Sequence, residues 1–259
     1  MAHSFENFIL SQINDNNNGK LIVLGARPAM GKSTFLATTA KILAIDNGLP
    51  TAIFSLEMSI EHLVRRILSI TSNIPCYRLH SGDLNNEEEK KVRSCMDDMA
   101  SKPLYINDTA NMDISEIKKG LKKLVKDKDI RYILIDYLQL ISASDEKLRE
   151  RQLEYICRGL KKTAEEFHIT IIAASQCGRH STSQNNMIPT LYDLFSYSIA
   201  KGIIDNVWLL YRPSYYKIFE NRHDNGTKNI AGLHLYKGDT KVSEEKFIFD
   251  ESIPEFGSS

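Results

Sequence analysis

The sequence predicts an α/β fold built on a mostly parallel, doubly wound sheet, with an antiparallel hairpin at its C-terminal edge. Short apolar segments without polar alternation recur along the chain, which is typical of strands buried on both faces of a parallel sheet. Helical segments separate most of these strands, as crossover connections require. Near its C-terminus the chain changes to two strand-like segments in succession, which predicts a hairpin added to the same sheet.

The first two predicted strands are each followed by a helix. Residues 21–24 are all apolar, and a glycine and a proline end this segment before a helical stretch over residues 32–47. Residues 51–56 form the next apolar segment, and Ser59 has the position of an N-cap for the second helix. One face of that helix is apolar, with Leu63, Ile67 and Ile70. The alternation of strand and helix favours a parallel sheet.

Four further apolar segments continue this order before the hairpin. They predict strands at residues 104–106, 132–135, 169–174 and 207–211. The intervening helices are predicted at about residues 87–100, 113–127 and 148–168. The hairpin pairs residues 230–236 with residues 245–249 through the connection KGDTKVSE.

The chain has no internal repeat and no proline- or serine-rich linker, which favours one domain over two. We expect this domain to cover residues 20–250. Residues 1–19 are predicted to be an N-terminal extension, and residues 251–259 a short disordered tail.

Composition and charge exclude several classes of protein. The 33 basic residues balance 33 acidic ones, so any binding to nucleic acid must be local. The four cysteines lie far apart without a Cys-x-x-Cys pair, which argues against a zinc site and against a disulfide framework. No secretory signal pattern is visible, and no segment approaches the roughly 18 apolar residues of a membrane span. We therefore expect a cytoplasmic protein with no membrane partner.

The segment LIVLGARPAMGKST has the features of a phosphate-binding loop. Gly31 precedes Lys32 and Ser33 at the point where a buried strand passes into a helix, so backbone N–H groups and the helix N-terminus converge on an anion. Lys32 can reach the outer phosphates, and the Ser33 hydroxyl can bind Mg²⁺. The first glycine of the GxxxxGK[ST] pattern is replaced by Ala26, and a chance Gly-Lys-Ser helix start is the alternative interpretation. The predicted nucleotide-binding residues are Ala29, Met30, Gly31, Lys32, Ser33 and Thr34.

A carboxylate from a neighbouring strand would complete a site for a metal-bound triphosphate. The segment RYILID ends at Asp136, and the carboxyl ends of parallel strands meet at one edge of a sheet, where ligands bind. We predict that Ser33 and Asp136 hold Mg²⁺, Asp136 directly or through a water. Taken alone, an aspartate at a strand end is also typical of a solvated cap.

Two more polar residues at strand ends are candidates for catalysis beside Lys32. Glu57 directly follows residues 51–56, and we predict that it activates the attacking water; a helix-initiating acid is the alternative. Gln176 follows the strand at residues 169–174, and we predict that it contacts the γ-phosphate and reports hydrolysis to the following loop. A polar strand cap is its alternative interpretation.

Five ordered segments resemble the RecA-like ATPase domain of DnaB-type replicative hexameric DNA helicases of bacteria and phages. These segments are ARPAMGKST, IFSLEMS, LIDYLQLI, RGLKKTAEEFHITIIAASQ and the late LLYR, and the similarity covers about residues 20–250. The resemblance implies a RecA-like P-loop NTPase that binds ATP and Mg²⁺ and assembles into a homo-oligomeric ring, usually hexameric. It also implies that ATP lies at subunit boundaries and that single-stranded DNA passes through the central pore.

One departure from the family pattern concerns the arginine finger, an arginine that reaches the γ-phosphate of the neighbouring subunit. The family carries it in a Lys-x-Arg segment, where this chain has Lys-Gly-Asp with Asp239 at the finger position. An aspartate at this position should either silence cooperative hydrolysis or shift the role to Lys237 or Lys241, and Arg212 and Arg222 are further candidates.

The second departure concerns DNA. The loop with which the family grips the DNA backbone reads DLFSYSIAKG here, from Asp193, and contains Lys201 as its only basic residue. The basic candidates for the pore are Arg179, His180 and Lys201. We therefore carry two functional hypotheses, a helicase motor and a RecA-fold ATP-binding regulator without unwinding activity. A structural subunit that completes the ring of another helicase is a third.

Overall fold

The computed structural model describes residues 4–13, 19–144, 146, 149–178, 188–194, 201–213 and 229–257. Within this part of the chain, nine strands form one sheet. They are β1 (Leu21–Ala26), β2 (Thr51–Ser55), β3 (Leu104–Asn107), β4 (Tyr132–Asp136), β5 (Thr170–Gln176), β6 (Asn206–Tyr211), β7 (Ile230–Lys237), β8 (Thr240–Asp250) and β9 (Glu255–Gly257).

The strand order across the sheet is β3-β2-β4-β5-β1-β6-β7-β8-β9. Strands β1 to β6 are parallel to one another, and β7, β8 and β9 follow on the β6 side as antiparallel strands. This arrangement confirms the predicted fold class of a mostly parallel, doubly wound sheet with a C-terminal antiparallel edge.

Helices connect the parallel strands and flank them. Their bounds are α1 (Phe5–Ile13), α2 (Lys32–Ala40), α3 (Ile60–Ser72), α4 (Cys76–Ser81), α5 (Asn86–Ser101), α6 (Ile114–Lys128) and α7 (Arg149–Phe167). A π-helical segment, Lys41–Asp46, continues α2 to the end of the predicted helix. In the part of the chain that the structure describes, we find no helix with the length and apolarity of a membrane span.

The inner parallel strands β1, β2, β4 and β5 are almost entirely buried, which is the reason for their unbroken apolar sequences, whereas β3 at the end of the sheet is only partly buried. Along β1, Leu21 and Val23 face one core, whereas Ile22 and Leu24 face the other. The first core is covered by α6 and α7, and the second by α1, α2 and α3. A strand between two helical layers has no polar face to present to water.

Because the central strands are parallel, their carboxyl ends lie along one border of the sheet and their amino ends along the opposite border. The carboxyl edge, as we call it, collects the ends of β1, β2, β4, β5 and β6, and the amino edge collects their starts. Lys237 at the end of β7 pairs with Asn206 at the start of β6, so the turn between β7 and β8 lies at the amino edge. The two edges are separated by the length of the strands.

The prediction of a disordered tail over residues 251–259 is wrong for its described part. Glu255–Gly257 forms β9, which pairs with β8, and Phe256 is 1% exposed. Its ring packs edge-on against Phe35 and Phe249, with centroids 5.4 and 4.9 Å apart. These partners lie far from Phe256 in sequence or across a strand pair, so the local polar composition does not reveal the burial.

The predicted N-terminal extension is part of the same core. Phe5 of α1 packs edge-on against Phe35 and Phe247, with both centroid distances at 5.0 Å. Phe8, Ile9 and Ile13 are also buried. The domain therefore starts before residue 20.

The hairpin is confirmed, but its connection is shorter than predicted. β7 and β8 pair through Lys237 and Thr240, so the turn consists of Gly238 and Asp239. Most of the first half of β8 is exposed, which explains polar residues in a segment that nevertheless extends as a strand.

Candidate nucleotide-binding site

The predicted phosphate loop connects β1 to α2 and has the backbone geometry of an anion-binding turn. Ala29 and Gly31 have positive φ values of 62° and 96°. The N–H of Phe35 donates to the Gly31 carbonyl at 2.8 Å, so α2 begins at the loop, and its first N–H groups lack intrahelical acceptors. Such a loop directs backbone donors and the positive helix end towards an anion.

Packing explains why the glycine stands one position earlier than in the family pattern. A Cβ on Gly25 would lie 2.8 Å from side-chain carbons of both Leu194 and Leu209, closer than real contacts allow. Ala26 instead continues the strand, pairs with Gln176 and is fully buried. The departure at Ala26 is therefore compatible with the strand-loop-helix geometry.

Aromatic rings from the C-terminal strands support the loop. A Cβ on Gly31 would lie 3.2 Å from the Phe249 ring and 3.3 Å from the Phe256 ring. The position therefore requires glycine both for its positive φ and for the space that these rings occupy. The C-terminal strand β9 thus contributes to the shape of the phosphate loop.

Asp136 is a buried carboxylate with an unpartnered oxygen. It ends β4, pairs with Ser55 of β2 and is 2% exposed, and among the described residues its Oδ1 has no hydrogen-bond partner. Burial raises the pKa of Asp136, while a hydrogen bond from Ser33 and the charge of Lys32 oppose this shift. Carboxylate and hydroxyl oxygens are ligands that Mg²⁺ prefers. The pair Ser33 and Asp136 therefore fits a magnesium ion.

Lys32 lies beside this carboxylate and is 8% exposed. Burial lowers the pKa of its ammonium, and the nearby charges of Asp136 and Glu57 counteract that effect. Its Nζ is 6.0 Å from the centroid of the Tyr137 ring. A buried ammonium at a helix start is suited to binding an anion such as a phosphate group.

Glu57 is brought to the same group by the pairing of β2 with β4. The N–H of Leu56 donates to the Asp136 carbonyl at 2.8 Å, and Glu57 follows directly with an exposed side chain. Its charge raises the pKa of Asp136 and favours the charged form of Lys32. Glu57 therefore lies at the carboxyl edge, within electrostatic reach of both residues and accessible to water.

Gln176 reaches this edge from β5. It pairs with Ala26, and the next N–H, that of Cys177, donates to the Ala26 carbonyl at 2.9 Å. Its side chain is exposed. The end of β5 is thus fixed against the residue from which the phosphate loop starts.

The sequence analysis missed two residues at this site, Arg66 and Gln139. Nη1 of Arg66 in α3 donates to Thr34 Oγ1 at 3.1 Å, and burial lowers the pKa of this guanidinium. The signal was present, because Arg66 lies three residues after Leu63 and four before Ile70, on the apolar face of its helix. Gln139, which contacts the end of β5, carries no such signal.

The arginine-finger candidates lie in different places. Arg212 is 6% exposed, with its guanidinium 3.8 Å from the centroid of the Phe249 ring, and it forms an ion pair with Glu251. Its guanidinium is therefore held by contacts within its own chain. The turn that carries Lys237 and Asp239 lies at the amino edge, on the opposite side of the sheet from Lys32.

Among the basic pore candidates, Lys201 forms an ion pair with Asp239 of that turn. Lys241, the other lysine candidate for the finger, forms an ion pair with Glu244 in β8. The last three candidates for the pore and the finger, Arg179, His180 and Arg222, lie outside the described residues.

The fold and this loop define the class of protein: a RecA-like α/β domain with a P-loop between β1 and α2. The chain belongs to the family of DnaB-like helicase C-terminal domains, whose family model matches residues 9–257.

Curated relatives agree with this family. The chain is 36% identical over 247 residues to the replicative DNA helicase DnaC of Bacillus subtilis (strain 168), which covers 90% of this chain and 54% of the relative. It is 34% identical over 219 residues to the replicative DNA helicase DnaB of Geobacillus stearothermophilus, covering 84% and 47%. The chain spans about half the length of such relatives.

Solved structures show the same architecture. A DnaB-like replicative helicase, described together with its interactions with primase, superimposes with a TM-score of 0.82 at 26% identity and covers 92% of this chain and 57% of that one. A second solved structure, of an isolated ATPase domain, gives a TM-score of 0.81 at 26% identity and covers 92% and 84%.

Proposed function

We propose that this chain is the motor domain of a replicative DNA helicase, an ATPase that couples hydrolysis to translocation along DNA or to its unwinding. The observation that carries the proposal is the buried Asp136 carboxylate, whose Oδ1 has no partner among the described residues, beside the buried Lys32 at the start of α2. Leaving a buried carboxylate oxygen without a donor costs free energy unless a ligand satisfies it.

Each side chain has a defined task in this proposal. Backbone N–H groups from Ala29 to Thr34 and the Lys32 ammonium bind the phosphates, with Ser33 and Asp136 holding Mg²⁺. A magnesium ion held there would supply positive charge next to the phosphates as negative charge builds on them during transfer. The exposed Glu57 carboxylate accepts a proton from the attacking water, and Gln176 contacts the γ-phosphate.

We further propose that the active form is a homo-oligomeric ring with single-stranded DNA in its pore. The position of the β7–β8 turn at the amino edge supports an interaction in trans, because residues of this turn lie on the opposite side of the sheet from their own phosphate loop. An arginine supplied in trans accelerates phosphoryl transfer by about 10³ to 10⁵. With Asp239 at that position, we expect slow turnover unless another basic residue acts.

The test is ATP turnover measured with and without single-stranded DNA. We expect Lys32→Ala to lower turnover by about a hundredfold or more, because it removes a preorganised cation from the phosphates. Glu57→Gln should lower kcat strongly while nucleotide binding, measured by fluorescence titration, stays close to that of the unsubstituted chain. Lys162→Ala, an exposed lysine on α7, is the matched control.

Unchanged turnover in Glu57→Gln would contradict the assignment of the base. Mass measurement with and without ATP, together with unwinding of forked DNA at low salt, separates the motor from the regulator. A monomer that hydrolyses ATP slowly and ignores DNA would favour the regulator.

A further inference from the structure

Gln139 has a bonding pattern that distinguishes it from the other polar residues of the carboxyl edge. Its Nε2 donates to Ser175 Oγ at 2.9 Å and to the Gln176 carbonyl at 3.1 Å. Its Oε1 accepts from the Gln176 N–H at 3.2 Å. One half-buried side-chain amide thus bonds both backbone groups of Gln176.

The position of this contact follows from where β4 leaves the sheet. The pairing of β4 with β5 ends at Ile135 and Ala173, whereas the pairing of β5 with β1 continues to Gln176 and Ala26. The last residues of β5 would therefore lose their backbone partners on the β4 side. The Gln139 amide, which has the donor and acceptor of a peptide group, takes over that pairing.

We propose that Gln139 is a positioning residue that fixes the end of β5, so that the Gln176 side chain is presented towards the phosphates. Gln139 lies three residues after Asp136, in the turn that follows β4, so the clamp also joins the metal-binding strand end to the end of β5. This inference rests on the proposed ATPase function, because it assigns Gln176 a partner that acts through its backbone.

The clamp makes a kinetic prediction that simple structural support does not. Binding of ATP depends on the phosphate loop and Lys32, which Gln139 does not contact in the bonds described above. Loss of the clamp should therefore lower kcat with little change in KM. A catalytic group displaced by about 1 Å costs up to about a hundredfold in rate, so we expect Gln139→Leu to lower kcat by about ten- to a hundredfold.

The matched control is Gln152→Leu. Gln152 lines the same cavity as Gln139 and is also half-buried, but its Nε2 donates to the Glu146 carbonyl at 2.8 Å and not to β5. It therefore tests the same loss of an amide without loss of the clamp, and we expect kcat within about twofold of the unsubstituted chain.

Amide hydrogen exchange provides a readout independent of activity. In the 259-residue chain, Gln139→Leu should increase exchange of the Gln176 amide, and Gln152→Leu should not. Faster exchange together with the expected kcat loss at constant KM supports the inference. Equal kcat in Gln139→Leu and the unsubstituted chain overturns it, as does an equal loss in Gln152→Leu or unchanged exchange of the Gln176 amide. Absence of turnover in the unsubstituted chain contradicts the proposed function itself, and exchange then decides whether the clamp exists.

Discussion

Two lysine–aspartate pairs lie at opposite edges of the same sheet. They differ in whether both oxygens of the carboxylate have hydrogen-bond partners. At the amino edge, Lys161 Nζ donates to both oxygens of Asp205, each at 2.7 Å, and to the Gly19 carbonyl at 2.9 Å. Asp205 Oδ2 also accepts from the N–H of Leu21 at 2.7 Å. Both carboxylate oxygens of this pair therefore have partners.

The pair at the carboxyl edge has the same residue types and a different environment. Asp136 is more deeply buried than Asp205, and within the described part of the chain its Oδ1 has no hydrogen-bond partner. Burial raises the pKa of Asp136 and lowers that of Lys32, so each charge is disfavoured by its surroundings. This difference supports a structural role for Lys161 and Asp205 and supports the proposal that Lys32 and Asp136 bind a ligand.

The largest effect on folding stability is expected from breaking the satisfied pair. Lys161→Met removes the donor to Asp205 and to the Gly19 carbonyl, and hydrogen bonds to charged groups contribute about 1.5–3 kcal/mol each. We expect the free energy of unfolding to fall by about 1.5–3 kcal/mol. A loss of this size lowers Tm by several degrees in a domain of this length. Chemical denaturation and thermal melts measure the change.

Lys162→Met is the control for this change, because Lys162 is the next residue on α7 and is exposed. It should leave the free energy of unfolding close to that of the unsubstituted chain, within about 0.5 kcal/mol. ATP turnover of folded Lys161→Met should stay near normal. A loss of turnover without a loss of stability would mean that the amino-edge pair also serves the reaction.

The parts of the molecule that could be predicted from sequence are those that depend on local sequence patterns. Strands β1, β2, β4, β5 and β6 were predictable because burial on two faces produces unbroken apolar segments, and β3 was predictable from a short apolar segment although it is only partly buried. Lys32, Ser33 and Asp136 were candidates because a loop pattern and a strand end are local features. The described structure brings them together, while their roles in binding and catalysis stay predictions.

Contacts between distant segments could not be predicted. The burial of Phe256 depends on Phe35 and Phe249, and no periodicity in the last residues of the chain indicates it. The clamp from Gln139 to Gln176 depends on where β4 leaves its neighbour, which is a property of strand pairing and not of composition. These contacts between distant segments could be identified only in the tertiary structure.

A smaller effect of opposite sign is expected at Asp136. Because its pKa is raised, the folded chain binds this proton more tightly than the unfolded chain does, and the ionised carboxylate destabilises the fold. Asp136→Asn should raise Tm at neutral pH without nucleotide and Mg²⁺, by about 2–4 °C for each kcal/mol relieved. The advantage should shrink as pH falls through the raised pKa, where Asp136 is protonated in the unsubstituted chain. Thermal melts over a pH series from neutral pH into the acidic range measure it.

Addition of ATP and Mg²⁺ should reverse this order. Bound ligand stabilises the folded state by mass action, and the gain should be larger for the carboxylate than for the amide, which cannot supply an anionic metal ligand. A variant that is less stable than the unsubstituted chain without ligand would contradict the view that Asp136 is held at a cost for function.

The smallest effect is expected at the exposed pair of Lys201 and Asp239, whose side chains are 57% and 52% exposed. Solvent screens such pairs, so Lys201→Met should change Tm by no more than about 1 °C. If Lys201 instead contacts DNA, the same variant should weaken binding of single-stranded DNA. Loss of one phosphate contact should make the slope of log affinity against log salt concentration shallower by about 0.7. Fluorescence anisotropy over a range of salt concentrations measures that slope. A large loss of stability would show that this pair supports the fold, as Lys161 and Asp205 are expected to do. An unchanged salt slope would show that Lys201 does not contact DNA.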